Sequence, residues 1–245
     1  MPHFGGYFYD LFALGVACMI VTDLFENRPD ETALVLSGIS GGVDHAVSVV
    51  LNQEHTLKLY RENTLLHSFV CSPSALGELC AGWLLTEGYP ADSVEISPDG
   101  DTATVQGAPA FPTEPEKLCL PCEVSASTNE MLTLFNEASD KYSRSHGIHE
   151  CVIKGHGWHI LRTDIGRHNA IDKAVGAAIL AGYDLSGAVM FSSGRINVQT
   201  VKKAARCKIG CLMSKAVITH DALILAEELG LKVLFSVKDS GYITK

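Results

Sequence analysis

Residues 158–182 read WHILRTDIGRHNAIDKAVGAAILAG, and this stretch decides the fold class. WHILRT has the pattern of a strand, and HNAIDKAVGAAILAG has the apolar spacing of a helix. The alternation continues in both directions along the chain. Strands are predicted at IHECVIK, GAVMFS, IGCLMS and LKVLFSV, and helices at VQTVKKAAR and DALILAEELG. Strands that alternate with helices imply an α/β fold with a largely parallel or mixed sheet and helices on its faces.

The first half of the chain predicts a second, smaller α/β unit. Residues 30–70 have strand character, and DSVEIS and TATVQ predict a hairpin. In SPSALGELCAGWLLTEGY we expect a helix with Ser72 as its cap and Pro73 in its first position. Ser127 and Glu130 form a capping-box pattern that predicts a helix to about residue 144.

Three prolines between residues 107 and 118 predict a linker. We therefore divide the chain into an N-terminal extension (1–45), a small α/β domain that ends in the Pro-rich linker (46–118) and a larger domain (119–245).

Composition limits the classes of function. The chain has 245 residues and a formal net charge of -9, which disfavours general nucleic-acid binding because phosphate contacts need clustered Lys and Arg. Any anion site must therefore be local. Eight cysteines at mostly irregular spacing favour a reducing compartment. The apolar run Leu11–Val21 is too short to span a bilayer and follows no Lys or Arg, so we expect no membrane span and a cytoplasmic location.

Two strand-to-helix junctions carry the polar residues of interest. TDIGRHNAIDK, residues 163–173, offers free N–H groups for an anion, and Arg167 could contact a phosphate through two hydrogen bonds. SSGRINVQTVKKAARC, residues 192–207, could hold a phosphate, although it lacks the P-loop and Rossmann patterns. We place His149 in the same pocket as His168. Such folds bind ligands beyond the carboxyl ends of their strands.

The motif CLPC, residues 119–122, allows several chemistries. A four-cysteine zinc site would need Cys207 and Cys211 as the second pair. The zinc-deaminase signature is absent, because His149 and Glu150 are adjacent. A thioredoxin-like pair would open a helix after a strand, whereas CLPC follows a proline-rich loop.

Sulfur carriage through a persulfide is the remaining chemistry of this pair. It requires an accessible thiolate. Glu114, Glu116 and Glu123 disfavour the thiolate, and only Lys117 favours it. We expect the thiol to lie at the rim of the ligand pocket.

Several motifs resemble one family. DIGRHNAIDKAVG resembles the D-V-G-R-H-N-A-x-D-K-x-x-G signature of the formate dehydrogenase accessory sulfurtransferases, the FdhD family. FSSGRINVQTVKKAA is similar to its S-G-R segment, and MSKAVITHDALILAEELG to its S-x-x-A-P-T-x-x-A stretch. SHGIH takes the place of its T-G-G-x-H motif, and SPSALGELCAGWLLTEGY resembles its N-terminal helix. The match covers residues from about 50 to 245.

The resemblance implies a sulfur carrier. It would take sulfur from a cysteine desulfurase and deliver it to the bis-guanylyl molybdenum (or tungsten) pterin cofactor before insertion into formate dehydrogenase. It also implies a cytidine-deaminase-like C-terminal domain, a homodimer, Cys119 as the persulfide carrier and Cys122 as its partner. The implied cofactor-binding residues are His149, Asp164, Gly166, Arg167, His168, Asn169, Asp172, Lys173, Ser193, Gly194, Arg195, Phe235, Ser236, Val237, Lys238, Asp239 and Ser240.

Departures from the family pattern favour two alternatives. The cysteine pair reads C-L-P-C-E instead of C-G-x-C-G, Ile218 replaces a proline, and Lys238 is the only cation of its segment. One alternative is a cofactor chaperone that moves no sulfur. The other is a zinc-stabilised nucleotide-binding protein.

Overall fold

A computed structural model of the protein describes residues 19–107, 111–118, 127–142, 147–238 and 241–244. The N-terminal elements are β1 (Ile20–Asp23), β2 (Glu31–Ser40), β3 (Val43–Asn52), β4 (His55–Arg61), β5 (Thr64–Cys71), α1 (Leu76–Thr86), β6 (Ser93–Ile96) and β7 (Thr102–Gln106). The C-terminal elements are α2 (Thr128–Tyr142), β8 (His149–Gly155), β9 (Trp158–Asp164), α3 (Arg167–Leu180), β10 (Val189–Ser192), α4 (Val198–Arg206), β11 (Cys211–Ser214), α5 (His220–Leu229), β12 (Lys232–Lys238) and β13 (Gly241–Thr244). Among these described helices, none is long and apolar enough to cross a membrane.

The larger sheet has the order β13-β12-β11-β10-β8-β9. Strands β10, β11 and β12 are parallel, and β8, β9 and β13 run antiparallel to their neighbours. Alternate residues of the buried strands face two separate cores, one with α3, α4 and α5 and the other with α2. The predicted α/β class with a mixed sheet is therefore confirmed. Its cytidine-deaminase-like character stays a prediction.

The smaller sheet has the order β1-β6-β7-β4-β5. Strand β1 pairs in parallel with β6, so residues 20–23 of the predicted extension form part of this sheet. The hairpin β2–β3 spans residues 31–52 and includes the predicted boundary at 45/46. Four residues are too few to show an alternating pattern, which is why the sequence did not indicate β1.

The predicted start of α1 is wrong, and the reason is a tertiary contact. The helix begins at Leu76, with Ala75 in a left-handed conformation at the cap and without a side-chain capping bond. The N–H groups at its start donate instead to side chains at and after the end of β1: the Ala75 N–H to Asn27 Oδ1, and the Gly77 N–H to Asp23 Oδ2. Ser72, the expected cap, instead forms hydrogen bonds with Asp164, Ile165 and Lys173 of the larger unit.

The predicted capping box of α2 is confirmed. The Glu130 N–H donates to Ser127 Oγ at 3.3 Å, and the Ser127 N–H donates to Glu130 Oε2 at 2.8 Å. These two bonds satisfy donors that would otherwise be unpaired at the start of the helix. The end predicted near residue 144 lies outside the described residues.

The two units are joined by a close crossing of α1 and α3. A Cβ atom added to Gly82 would lie 1.8 Å from the carbonyl oxygen of Asp172, and one added to Gly176 would lie 1.9 Å from the carbonyl oxygen of Glu78. Only glycine lets the two backbones approach this closely. One core runs through both units as a result.

We predict that Gly82→Ala lowers the free energy of unfolding by about 3 kcal/mol or more, because the added methyl group has no space and the helices must separate. Urea unfolding followed by circular dichroism measures this. Gln199→Ala, at an exposed position of α4, serves as the control and leaves the value nearly unchanged. An unaltered unfolding free energy in Gly82→Ala contradicts the close crossing.

Candidate functional site

The predicted site residues meet at the edge of the larger sheet where β10 and β11 end. Ser192 and Ser214 are register partners at the ends of these strands. Because β8 is antiparallel to β10, its first residue, His149, lies at the same edge, and Asp164 at the end of β9 pairs with it. We call this the carboxyl edge. The opposite edge, where the parallel strands begin, is the amino edge.

A buried carboxylate organises the carboxyl edge. Asp164 is 0% exposed, and it receives hydrogen bonds from the backbone N–H groups of Ser72 and Gly166 and from the side chains of Asn169 and Lys173, at 2.6–3.0 Å. Two of these donors begin α3 and one belongs to the smaller unit. Asn169 also donates to the carbonyl oxygen of Val70 at 2.7 Å. The direction in which α3 starts is therefore fixed by Asp164.

Arg167 and Gly194 are brought into contact across two loops. A Cβ atom added to Gly194 would lie 3.0 Å from Cβ and Cδ of Arg167, so the arginine stem packs over the glycine. Arg195 is exposed beside it. Within the described residues, neither guanidinium has an ion-pair or hydrogen-bond partner. The two cations are available to an anionic ligand.

His149 lies in the same pocket. Its Nδ1 is 3.2 Å from Ser193 Oγ, and Ser193 Oγ also accepts the Glu150 N–H at 3.0 Å. Burial lowers the pKa of His149, and the nearby charge of Arg167 lowers it further. Because the pKa lies below the ordinary value of 6.5, the neutral ring is the main form at pH 7.

His168 occupies the first turn of α3. Its Nε2 is buried and has no hydrogen-bond partner among the described residues. Burial lowers the pKa of this ring, with contributions from Lys203 and Arg167, while a hydrogen bond with Asn197 acts in the opposite direction. A buried polar atom without a partner is costly in a folded chain, and a ligand is one way of satisfying it.

Asp172 and Lys173 do not present their side chains to this pocket. Both are 1% exposed. Asp172 pairs with Lys203 at 2.8 Å and accepts from Thr86 at 2.6 Å, while Lys173 bonds Asp164 and the carbonyl oxygen of Ser72. Their observed contacts join α1, α3 and α4 beneath the site.

The predicted C-terminal segment reaches the same edge in part. Ser236 lies two residues beyond Leu234, the last residue of β12 that pairs with β11, and its N–H donates to the carbonyl oxygen of Ala216 at 2.9 Å. Val237 is buried against α2, Phe235 packs against the other core, and Lys238 is exposed. Asp239 and Ser240 lie outside the described residues.

Sequence reasoning missed three supporting residues. Ser72 contributes its N–H, its carbonyl oxygen and its Oγ to the larger unit. Ser214 Oγ donates to the Gly194 carbonyl oxygen at 2.8 Å, which holds the glycine loop in place. Asn197 caps α4 through a bond from the Thr200 N–H. Only Asn197 had a sequence signal, a capping residue directly before a helix.

Cys119 and Cys122 lie outside the described residues, but both flanks of their segment are fixed. The Leu118 N–H donates to the carbonyl oxygen of Leu229, at the end of α5. On the other side, Glu130 of the capping box lies 3.9 Å from Lys154, near the end of β8. Both flanks are at the amino edge. The chain therefore enters and leaves the cysteine segment on the side of the sheet opposite to the arginine–histidine pocket.

The flank before Cys119 is less acidic than its sequence indicated. Glu114 pairs with Lys202 at 3.2 Å, and Arg206 donates to the Thr113 carbonyl oxygen at 3.1 Å. Cations of α4 thus lie along residues 113–114 and offset the negative charge there. A reactive thiolate benefits from such cations.

The five described cysteines are not suited to thiolate chemistry. All are buried, and burial raises the pKa of Cys207 to about 12. Cys207 and Cys211, the second pair of the zinc alternative, are both 0% exposed. Among the described residues, no group of three or more His, Cys, Asp and Glu side chains could hold a metal ion.

Comparisons with known proteins identify the relatives of this chain. Residues 111–242 match the FdhD/NarQ family. A protein of Halalkalibacterium halodurans named sulfur carrier protein FdhD is 27% identical over 249 residues, which cover 87% of this chain and 92% of that protein. A protein of the same name from Staphylococcus aureus is 34% identical over 113 residues, which cover 46% of this chain and 43% of the relative.

A solved structure has the same fold. The crystal structure of a protein from Desulfotalea psychrophila, described as a formate dehydrogenase accessory protein, superposes with a TM-score of 0.75 at 22% identity, covering 88% of this chain and 96% of that one. The fold is that of an α/β protein with a mixed sheet, and cations and histidines gather beyond its strand ends. The chain belongs to the FdhD/NarQ family.

We predict that His149 and His168 both titrate below the ordinary histidine value of 6.5 in the folded protein, because burial disfavours their charged forms. Since the unfolded chain then binds protons more readily, their contribution to stability is present above pH 6.5 and is lost as the pH falls towards the folded pKa values. Imidazole NMR titration measures both midpoints. The same rings in urea-unfolded protein, which titrate near the ordinary value, are the control. A folded midpoint at or above 6.5 contradicts the prediction.

Proposed function

We propose that this protein is a sulfur carrier for cofactor maturation. It accepts sulfur from a cysteine desulfurase on Cys119 and delivers it to the bis-guanylyl molybdenum or tungsten pterin cofactor, which is then inserted into formate dehydrogenase. The observation that supports this best is the carboxyl edge, where Arg167 and Arg195 have no ion-pair or hydrogen-bond partner among the described residues and lie beside two histidines of lowered pKa. The names of its relatives support the same function.

The chemistry of the edge suits the proposed cargo. Arginine recognises phosphate through two parallel hydrogen bonds, and the bis-guanylyl cofactor carries phosphates at both of its nucleotide ends. Neutral histidines can donate to or accept from phosphate or base atoms. The chain has a net charge of -9, so the cations Arg167 and Arg195 form a local positive patch on an acidic protein. Such a patch would bind an anion.

The length of the edge also suits a long ligand. Polar groups follow the ends of β9, β10, β11 and β12, with the start of β8 between β9 and β10. Neighbouring strands lie about 4.8 Å apart, so five strand ends extend over about 19 Å. A single phosphate would use one strand end. An extended molecule with two nucleotide arms would use the whole row, from Arg167 to the region of Ser236.

The sulfur step is a thiol–persulfide exchange. The Cys119 thiolate attacks the terminal sulfur of the desulfurase persulfide, one S–S bond forms as the other breaks, and the desulfurase cysteine leaves as a thiolate. No net oxidation occurs. The Cys122 thiol assists release, because its attack on the inner sulfur of the Cys119 persulfide would expel hydrosulfide and leave a Cys119–Cys122 disulfide. Lys202 and Arg206, which lie along residues 113–114, would offset the acidic residues before Cys119 and in this way favour the attacking thiolate.

Loading and delivery would then use opposite edges of one sheet. The residues on either side of the cysteine segment, Leu118 and Ser127, lie at the amino edge, whereas the proposed anion pocket is at the carboxyl edge. The four residues of β10 separate the two edges by about 13 Å. This separation would let a desulfurase and a bound cofactor occupy the carrier together, and delivery would require the sulfur to cross that distance.

A chaperone that holds the cofactor without moving sulfur is the second candidate. The C-L-P-C-E departure from the family pattern favours it. The two candidates share the carboxyl edge and differ only in the use of the cysteine segment. An experiment on the cysteines therefore separates them.

We predict that incubation with a cysteine desulfurase and ³⁵S-cysteine adds one sulfur to the protein, and that Cys119→Ala abolishes at least about nine-tenths of this addition because the acceptor thiolate is lost. Mass spectrometry of intact protein and of its peptides measures the mass and its position. Cys71→Ala, which removes a buried thiol of raised pKa, is the matched control and loads normally.

Undiminished loading in Cys119→Ala removes this residue from the proposed role. Absence of loading in the unmodified protein, together with normal formate dehydrogenase maturation by a Cys119/Cys122 double variant, favours the chaperone.

A further inference from the structure

Two adjoining cavities lie between the smaller and the larger unit. Their volumes are about 350 Å³ and about 480 Å³, and Asn27, Ala75, Glu78 and Arg162 line both of them. None of the described arginines and histidines of the carboxyl edge lines either cavity. Because the two spaces share four wall residues, one ligand can extend through both. We call the combined space the interunit cavity.

One wall of the interunit cavity is apolar. Val21 of β1, Ile160 of β9 and Leu180 of α3 line it, together with Ala177 and Ala181. The smaller unit supplies β1, and the larger unit supplies β9 and α3. Apolar surface of this kind gains free energy when a hydrocarbon group replaces the water beside it. This wall therefore suits the apolar stem of a ligand.

The polar wall carries carboxylates that lack a cation. Asp23, Asp30 and Glu78 line the cavity from the smaller unit. Both cations that line it are already paired. Arg162 bonds Glu78 through Nε at 2.6 Å and through Nη2 at 2.7 Å, and Lys173 pairs with the buried carboxylate of the carboxyl edge. Among the described residues, no Lys, Arg or His pairs with Asp23 or Asp30.

Asp30 has a buried acceptor atom without a donor. Its Oδ2 accepts the Ser74 hydroxyl at 2.9 Å, whereas its Oδ1 is shielded from solvent and has no hydrogen-bond partner among the described residues. Such an atom is costly in a folded chain unless a further group satisfies it. Asp23 differs, because it accepts the N–H groups of Phe25 and Gly77. The missing donor therefore belongs beside Asp30.

The negative charges of this wall act on one another. Burial raises the pKa of Asp23, two backbone N–H bonds act in the opposite direction, and the nearby charge of Glu78 raises it again. Carboxylates that repel one another in a partly buried space are stabilised by a cation placed between them. The field in the cavity thus favours a positively charged ligand.

We propose that the interunit cavity binds a small organic cation, in which an ammonium or guanidinium group is carried on an apolar stem. The charged group donates to Asp30 Oδ1 and lies in the field of Asp23, and the stem packs on the apolar wall. Cavities of this size enclose a whole small molecule. A bare metal ion suits the cavity less well, because the described residues form no group of three or more His, Cys, Asp and Glu that could hold one.

We predict that n-hexylamine, an ammonium on a six-carbon stem, binds the full-length protein at pH 7 with a dissociation constant of about 1 mM or lower. n-Hexanol and hexanoate, which carry a neutral and a negative group on the same stem, bind at least about 10-fold more weakly, because the charge-assisted hydrogen bond to Asp30 is lost. Titrations followed by ¹H–¹⁵N NMR measure both the affinity and the residues that the probe contacts.

A matched pair of variants tests the polar wall. Asp30→Asn keeps the shape of the side chain and removes its charge, and it weakens n-hexylamine binding at least about 10-fold. Glu26→Gln removes the same charge from an exposed position in the same connection between β1 and β2, outside the cavity, and leaves the affinity unchanged.

A further variant fills the apolar wall without altering a charge. Ala181→Phe, at the exposed end of α3, places a ring in the cavity and is expected to abolish binding while the circular dichroism spectrum stays native. Absence of saturable n-hexylamine binding, equal affinity for hexanoate, undiminished binding in Asp30→Asn or Ala181→Phe, or NMR shifts confined to residues outside the cavity overturns the proposal. None of these outcomes depends on the sulfur-carrier function.

Discussion

The fold and the site both depend on one buried carboxylate. Asp164 receives four hydrogen bonds, from the smaller unit through Ser72 and from the start of α3 through Gly166, Asn169 and Lys173. A buried charge is tolerated only when it is paired and fully hydrogen-bonded. Meeting that requirement fixes where α3 begins, and the beginning of α3 places Arg167 and His168. The close contact between α1 and α3 at Gly82 and Gly176 is a second connection between the same two units.

Two groups of charged residues lie at opposite edges of the larger sheet. The carboxyl edge gathers cations and neutral histidines over buried, fully bonded supports. The amino edge receives both flanks of the cysteine segment, along which Lys202 and Arg206 offset nearby acidic residues. An acidic protein can therefore carry local groups of cations at both edges of the sheet without being basic overall. Strand β8 contributes to the carboxyl edge because it runs antiparallel to β10. Its first residue, His149, therefore lies at the edge where the parallel strands end.

Much of the larger unit could be predicted from the sequence. Its strands and helices follow clear periodicities, and α4 begins and ends where the pattern placed it, because local propensity and tertiary packing agree there. The start of α1 could not be predicted, since its first N–H groups are satisfied by Asp23 and Asn27, about fifty residues earlier in the chain. The burial of Asp172 and Lys173 in ion pairs could not be predicted either. A sequence shows that these residues are charged but not whether the fold brings an oppositely charged partner to them. The distance of the cysteine flanks from the pocket depends on topology alone.

The central claim is that the carboxyl edge, and not the cysteine segment, holds the guanylyl end of the cofactor. Calorimetric titration with GDP, which carries the same base and two phosphates, tests it most directly. The account predicts that Arg167→Met weakens GDP binding by about 10- to 100-fold, since a charge-assisted hydrogen bond contributes about 1.5–3 kcal/mol, while Cys119→Ala and the amino-edge change Lys232→Met leave the affinity unchanged. Equal affinity for GDP in Arg167→Met and the unmodified protein, or a loss of binding in Cys119→Ala, would contradict it.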